Sequence, residues 1–207
     1  MKIVWLGHAC FLFECDGYRL VTDPYSGVEG YPDPRISAHQ VLCSHGHRDH
    51  AAVELVSLLP AAPSPFTIRE IQTFHDDQHG ALRGTNTVRV FSAGGKSAAH
   101  LGDLGHMLSP DQIDAIGPLD ALLIPVGGFY TIDAKTAKQV CGALKPRLVI
   151  PMHYRHPPYG LPVIAPLDDF LALWPASEVH RLDGPGLDLN APLSGVAVPR
   201  YCGGDAL

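Results

Sequence analysis

The segment Ser44-His45-Gly46-His47-Arg48-Asp49-His50 concentrates three imidazoles and a carboxylate directly after the apolar run Val41-Leu42-Cys43. Neutral imidazole and carboxylate are the donors that Zn(II), Mn(II) and Fe(II) share, and a turn leaving a buried strand can aim all four side chains into one cleft. His45 and His47 alternate, so on an extended segment they face the same way, whereas Asp49 and His50 follow a change of direction. One ion can take the first pair and a second ion the other. The function this points to is metal chemistry, with Asp49 and His50 at its centre beside His45 and His47.

Two ions need further donors, because three or four protein groups per ion are usual and one position stays open for water. Asp103, in His100-Leu101-Gly102-Asp103-Leu104-Gly105-His106, ends an expected strand beside glycines that permit close approach, and a carboxylate can bridge two ions. His153 likewise ends the apolar run Val149-Ile150-Pro151-Met152. For the remaining donor, residue type and spacing leave His75, His79, His100 and His106 open.

The elements that must position these residues can be read from the apolar pattern. Strands are expected at Ile3 to Trp5, Phe11 to Phe13, Tyr18 to Thr22 and Gln40 to Cys43, with Asp16-Gly17 as a hairpin turn. Proline and glycine make Pro24 to Ser37 a loop, and Ala51 to Leu59 has apolar positions suited to a short helix. A strand from Phe66 to Thr73 and a hairpin of Thr87 to Phe91 with Ser97 to Leu101 follow. Ser109-Pro110-Asp111-Gln112 opens a helix with a capping box. Strand Asp120 to Pro125, helix Asp133 to Leu144, strand Arg147 to Pro151 and helix Leu167 to Leu173 then alternate. This order predicts one layered α/β domain over residues 1–207, with a cleft at the strand ends.

Composition narrows the function classes. With 207 residues, 46% hydrophobic and 17% charged, the chain can bury a sizeable core and has none of the character of a disordered segment. A net charge of −6 argues against a broad basic face for nucleic acid. No apolar run is long enough for a membrane span or a signal peptide, so a cytoplasmic protein with a small-molecule substrate is expected, monomeric or homo-oligomeric. Five cysteines without a Cys-x-x-Cys pair (Cys10, Cys15, Cys43, Cys141, Cys202) read as buried free thiols. Twelve histidines are the compositional outlier.

His-x-His-x-Asp-His after a strand, with a later histidine, Gly-Asp and a final histidine, resembles the metallo-β-lactamase superfamily. The finer resemblance is to metal-dependent hydrolases similar to L-ascorbate-6-phosphate lactonase, carried by Trp5-Leu6-Gly7-His8-Ala9, Thr22-Asp23-Pro24, His75-Asp76, Arg83-Gly84-Thr85-Asn86-Thr87, Pro125-Val126-Gly127-Gly128 and Pro151-Met152-His153-Tyr154. The resemblance implies a four-layer αββα sandwich and two divalent ions, zinc first, with manganese or iron as alternatives. It also implies that His45, His47 and His75 hold one ion, that Asp49, His50 and His153 hold the other, and that Asp103 bridges them. His79 departs from the pattern and stands as the alternative third ligand, while His8, His100 and His106 are left for supporting or substrate contacts. Four positive charges against two carboxylates and a hydroxide favour an anionic substrate, a phosphodiester or a phosphorylated lactone. Arg155, Tyr154 and Tyr130 are candidate grips for the anion. A nuclease of the same superfamily, a di-iron redox enzyme and a non-catalytic metal-binding module are the alternatives. The His-x-His pattern and the absence of a flavin-binding domain speak against the redox reading.

Overall fold

Near-continuous apolar runs make up the N-terminal strands, and the reason is that both of their faces are covered. The computed structural model describes residues 1–203. In chain order it contains β1 (Lys2–Gly7), β2 (Cys10–Cys15), β3 (Tyr18–Thr22), β4 (Ile36–Ala38), β5 (Gln40–Leu42), β6 (Val56–Leu58), β7 (Thr67–Phe74), β8 (Thr85–Ala93) and β9 (Lys96–His100). There follow α1 (Pro110–Ile116), β10 (Ala121–Pro125), α2 (Ala134–Leu144), β11 (Leu148–Met152), α3 (Leu167–Leu171), β12 (Val179–Arg181), β13 (Gly186–Asp188) and β14 (Gly195–Val198).

One sheet runs β13-β1-β2-β3-β5 and the other β12-β14-β11-β10-β9-β8-β7. They face one another across one apolar core, with the rings of Phe13 on β2 and Phe91 on β8 only 4.6 Å apart between centroids. Asp16 and Gly17 both have positive φ (49° and 78°), the geometry of the tight turn that an Asp-Gly pair favours. Ser109 caps α1 with the expected reciprocal box to Gln112, and Asp133 caps α2. No helix among the described residues is long and apolar enough to cross a membrane.

The pairing directions explain where a site can form. β1 and β3 are both antiparallel to β2, and β5 is parallel to β3. In the other sheet β9, β10 and β11 are parallel, and β7 and β9 are both antiparallel to β8. Within each sheet these strands therefore end on one edge, where His8, Asp23, His45, His75, Asp103 and His153 follow β1, β3, β5, β7, β9 and β11. This is the crevice outside the carboxyl ends of strands in which α/β proteins bind their ligands.

Three expectations are corrected. Ala51 to Leu59 is not a helix: Val53–Leu55 is a single 3-10 turn, and Val56–Leu58 becomes β6 because it finds a parallel partner in β4. That partner also ends the supposed Pro24 to Ser37 loop early, at Ile36. Cys202 is exposed, while Cys10, Cys15 and Cys141 are buried and all five thiols are free. The short strands β12, β13 and β14 had no counterpart in the sequence reading. The helices make their main contacts with β7, β10 and each other, so the helical layer lies on the seven-stranded sheet.

Candidate metal centre

Asp103 is the hub. Its Oδ1 lies 3.1 Å from His50 Nε2, and its Oδ2 lies 3.2 Å from His75 Nε2 and 3.3 Å from His153 Nε2. The carboxylate is held in place by Asn86, whose Oδ1 accepts from the Asp103 backbone N–H while its Nδ2 donates to Thr73 Oγ1 and the Leu101 carbonyl. Two glycines allow the approach. A Cβ on Gly102 would stand 2.3 Å from Asn86 Oδ1 and 2.4 Å from Ser44 Cβ, and one on Gly105 would stand 2.3 Å from the His75 and Asp76 backbone.

Donor atoms fall into groups whose members all lie within 4.8 Å of one another: His45, His47 and His75; His8, Asp49, His50 and His153; and His45, His50 and Asp103. The hydrogen bonds behind these side chains define which nitrogen faces inward. Asp23 accepts from Ser44 N and Ser44 Oγ at 2.6 Å each, and His50 Nδ1 donates to its Oδ2 at 2.8 Å. With the Ser44 hydroxyl so committed, His45 Nδ1–H donates to Ser44 Oγ, and its Nε2 lone pair is left free.

Charge follows from the same contacts. Burial, then His50, hold His45 down at about 4, and burial, then His153, do the same for His8, so both rings are neutral at neutral pH. Burial opposes charge on His50 as well, but the Asp103 and Asp23 carboxylates outweigh it and raise its pKa well above the ordinary value. Enclosure pushes Asp103 up, yet His153 and His50 hold it well below the usual carboxylate range. A metal ion bound through His50 Nε2 must therefore displace a proton, which makes ion binding release acid.

Among the described residues, buried nitrogens without hydrogen-bond partners include both of His8, Nδ1 of His75 and of His153, and Nε2 of His45, while Nε2 of His50 and of His153 face the Asp103 carboxylate. Such groups are costly unless something completes them. Their convergence, and their imidazole-carboxylate chemistry, fit divalent transition-metal ions.

The other histidines go elsewhere. His79 is exposed, with its ring edge against Phe74. His100 Nε2 donates to the Ala9 carbonyl and its Nδ1 accepts from Gly102 N–H. His106 Nε2 accepts from Phe74 N–H, fixing the end of β7 from which His75 projects. Tyr154 is buried against Trp5 away from the cleft, and Arg155 reaches only toward the Pro162 carbonyl.

Asp23, Ser44, Asp76 and Arg83 stand in the sequence motifs quoted above, but sequence reasoning gave them no role in the site. Asp76 is buried and ties the next turn down, accepting from the N–H groups of Gln78, Gly80, Leu82 and Arg83. Enclosure raises its pKa, but these donors win and hold it at about 2, against an ordinary 3.8. The depressed value means that its stabilisation is complete above pH 3.8 and is lost as pH falls through about 2. Protection of the Gln78 and Gly80 amides, taken relative to intrinsic exchange at each pH, should fall over that window in the native chain. In Asp76→Asn it should already be low at pH 6.

Above the hub opens a cleft of about 430 Å³ lined by Val28, His47, Arg48, Asp49, His75, Arg83, Asp103, Tyr130 and Leu161, among others. Arg83 is held by its bond to the Phe129 carbonyl at 3.2 Å and lies over the Tyr130 ring, 5.6 Å from the centroid. A sandwich of two sheets with this cluster at its edge defines a class of protein. Residues 2–153 match the family model described as a beta-lactamase superfamily domain. The chain belongs to the metallo-β-lactamase superfamily. It is 30% identical over 193 residues to a UPF0173 metal-dependent hydrolase of Carboxydothermus hydrogenoformans, covering 74% of this chain and 84% of that one. A UPF0173 protein of Pyrococcus furiosus is 32% identical over 184 residues, with coverage of 74% and 83%. Among solved structures, a candidate Zn-dependent hydrolase of the metallo-β-lactamase superfamily from Thermotoga maritima aligns with a TM-score of 0.76 and 38% identity, over 96% of this chain and 97% of that one.

Proposed function

We propose that this metal-dependent hydrolase binds two divalent ions, zinc first, and cleaves an anionic small molecule, a phosphodiester or a phosphorylated lactone. The observation that carries the reading is the convergence of His50, His75 and His153 on the two oxygens of Asp103 beneath an open cleft. His45, His47 and His75 would hold the first ion, Asp49, His50 and His153 the second, and Asp103 both. When bound, the ions supply a water acidic enough to attack near neutral pH and polarise the bond under attack.

The chain's own residues do the rest. Asp23 keeps Nδ1 of His50 protonated, so only Nε2 is offered to the centre. Asp49 lines the cleft, and its carboxylate would be the group to take the proton of the attacking water. Arg83, fixed over Tyr130, would present a permanent positive charge to the substrate, and Arg48 lines the same cleft. Val28 and Leu161 supply apolar wall that displaces water.

The test is elemental analysis of protein purified without added metal, followed by a screen of phosphodiesters and phosphorylated lactones. Fewer than one ion per chain, with no gain on reconstitution, would defeat the dinuclear reading. Arg83→Met should raise KM for an anionic substrate roughly 10-fold or more, the loss of about one charge-assisted hydrogen bond, with bound metal unchanged. An equal rise for a neutral ester would show that Arg83 does not read charge.

A further inference from the structure

We infer that His8 is an additional protein ligand of the second ion, so that this ion is held by one more side chain than the first. The inference rests on the two-ion reading above. His8 follows β1, and its donor atom lies within 4.8 Å of those of Asp49, His50 and His153, with Nε2 3.6 Å from Asp49 Oδ2. The residue is 1% exposed and neither ring nitrogen has a hydrogen-bond partner. A neutral imidazole carries one N–H and one lone pair, and both are left bare. His100, 2% exposed in the same core, is the internal contrast, because both of its nitrogens are bonded to backbone.

The backbone is fixed for this purpose. Trp5 Nε1 and the His153 backbone N–H both donate to the His8 carbonyl, at 3.1 and 3.4 Å, so residue 8 is tied to another donor of the same ion. The two rings stand 4.2 Å apart between centroids. The cleft is lined by Asp49 but not by His8, His50 or His153. His8, which is 1% exposed, would therefore approach a bound ion from the buried side, as His50 and His153 would.

The consequence is an asymmetric pair. His45, His47, His75 and Asp103 would offer four side chains to the first ion, which with the attacking water stays within the range zinc takes. His8, Asp49, His50, His153 and Asp103 offer five side chains to the second, more than a tetrahedral ion accepts. An ion that favours six positions, such as Mn(II), fits that set.

The test uses Co(II) as the probe on the full chain, with His8→Asn and His8→Gln as variants. Asparagine tolerates the left-handed φ of 50° at this position. The wild type should bind two Co(II), the second giving the weak visible bands of a five- or six-coordinate ion. In the variants the second equivalent should bind about 100-fold more weakly, at or beyond the loss for an outer-shell partner. The metal-free variants should melt close to the metal-free wild type, since one unpaired buried polar side chain replaces another, and should gain less on adding Co(II).

Unchanged affinity and spectrum of the second equivalent in both variants overturns the inference. So does a lower metal-free melting point with an undiminished gain on adding metal, which marks a purely structural ring. If neither variant folds, an intense four-coordinate spectrum for the second ion in the wild type overturns it alone. A wild type that binds one ion only refutes the two-ion reading itself, and the inference with it.

Discussion

Asp103→Asn should abolish binding of the ion pair and lower hydrolysis by more than the roughly 100-fold that losing an outer-shell partner costs. Three imidazole Nε2 atoms converge on this carboxylate at 3.1 to 3.3 Å, and an amide keeps the shape while removing the charge and one acceptor. The metal-free protein should suffer as well. Asp103 is held well below 3.8, so its stabilisation is present above that pH and is lost as pH falls through its folded value. His50 is raised above 6.5, so its contribution is complete below that pH and fades as pH rises through its own folded value. At pH 6 in EDTA both are in force, and breaking the buried pair should cost about 3–5 kcal/mol in urea melts. Two retained ions, or activity within 10-fold of wild type, would refute the hub role.

Asp23→Ala is expected to have the next largest effect, although Asp23 does not line the cleft. It strands three donors at once: Ser44 N–H, Ser44 O–H and His50 Nδ1–H. Losing the carboxylate opposite a buried imidazolium should destabilise the metal-free chain by about 3–5 kcal/mol. Ser44 would be released to donate to His45, allowing the other tautomer and placing a proton on the nitrogen meant for the ion. Affinity for metal should fall about 10- to 100-fold. Asp23→Asn, which keeps acceptors for Ser44, should recover part of the stability and less of the affinity. Equal recovery of both would show that Asp23 acts through packing rather than by setting the His50 and His45 protons.

The contiguous cluster at His45 to His50 was legible because its donors are neighbours in the chain. Asp103 and His153 were legible as ends of apolar strands, and His75 only through the resemblance. The preference for His75 over His79 hangs on a local turn: His79 has φ of 55° and packs on Phe74, which no spacing rule foretells. Asp23 stood in the Thr22-Asp23-Pro24 landmark without a role, because that role depends on the parallel pairing of β3 with β5, which aligns Thr22 with Leu42 and so brings residue 23 beside Ser44. The missed strands have the same cause. β6, β12 and β13 are three residues long and β14 four, and each owes its extended form to a distant partner rather than to its own pattern. Local propensity is a weak guide where pairing decides.

His8, Asp23 and His153 share a backbone state: each directly follows a strand and has φ near +50° (50°, 48° and 52°). For a residue with a Cβ this region is disfavoured by roughly 1–2 kcal/mol, and only glycine enters it freely. Selection of this chain for heat tolerance alone would therefore relax position 8, whose bare ring nitrogens hold nothing in the metal-free fold, while Asp23 would be kept for the three donors it satisfies. Screens for hardier variants need an ion-loading step at every round, since thermostability alone does not select for a metal-binding side chain there.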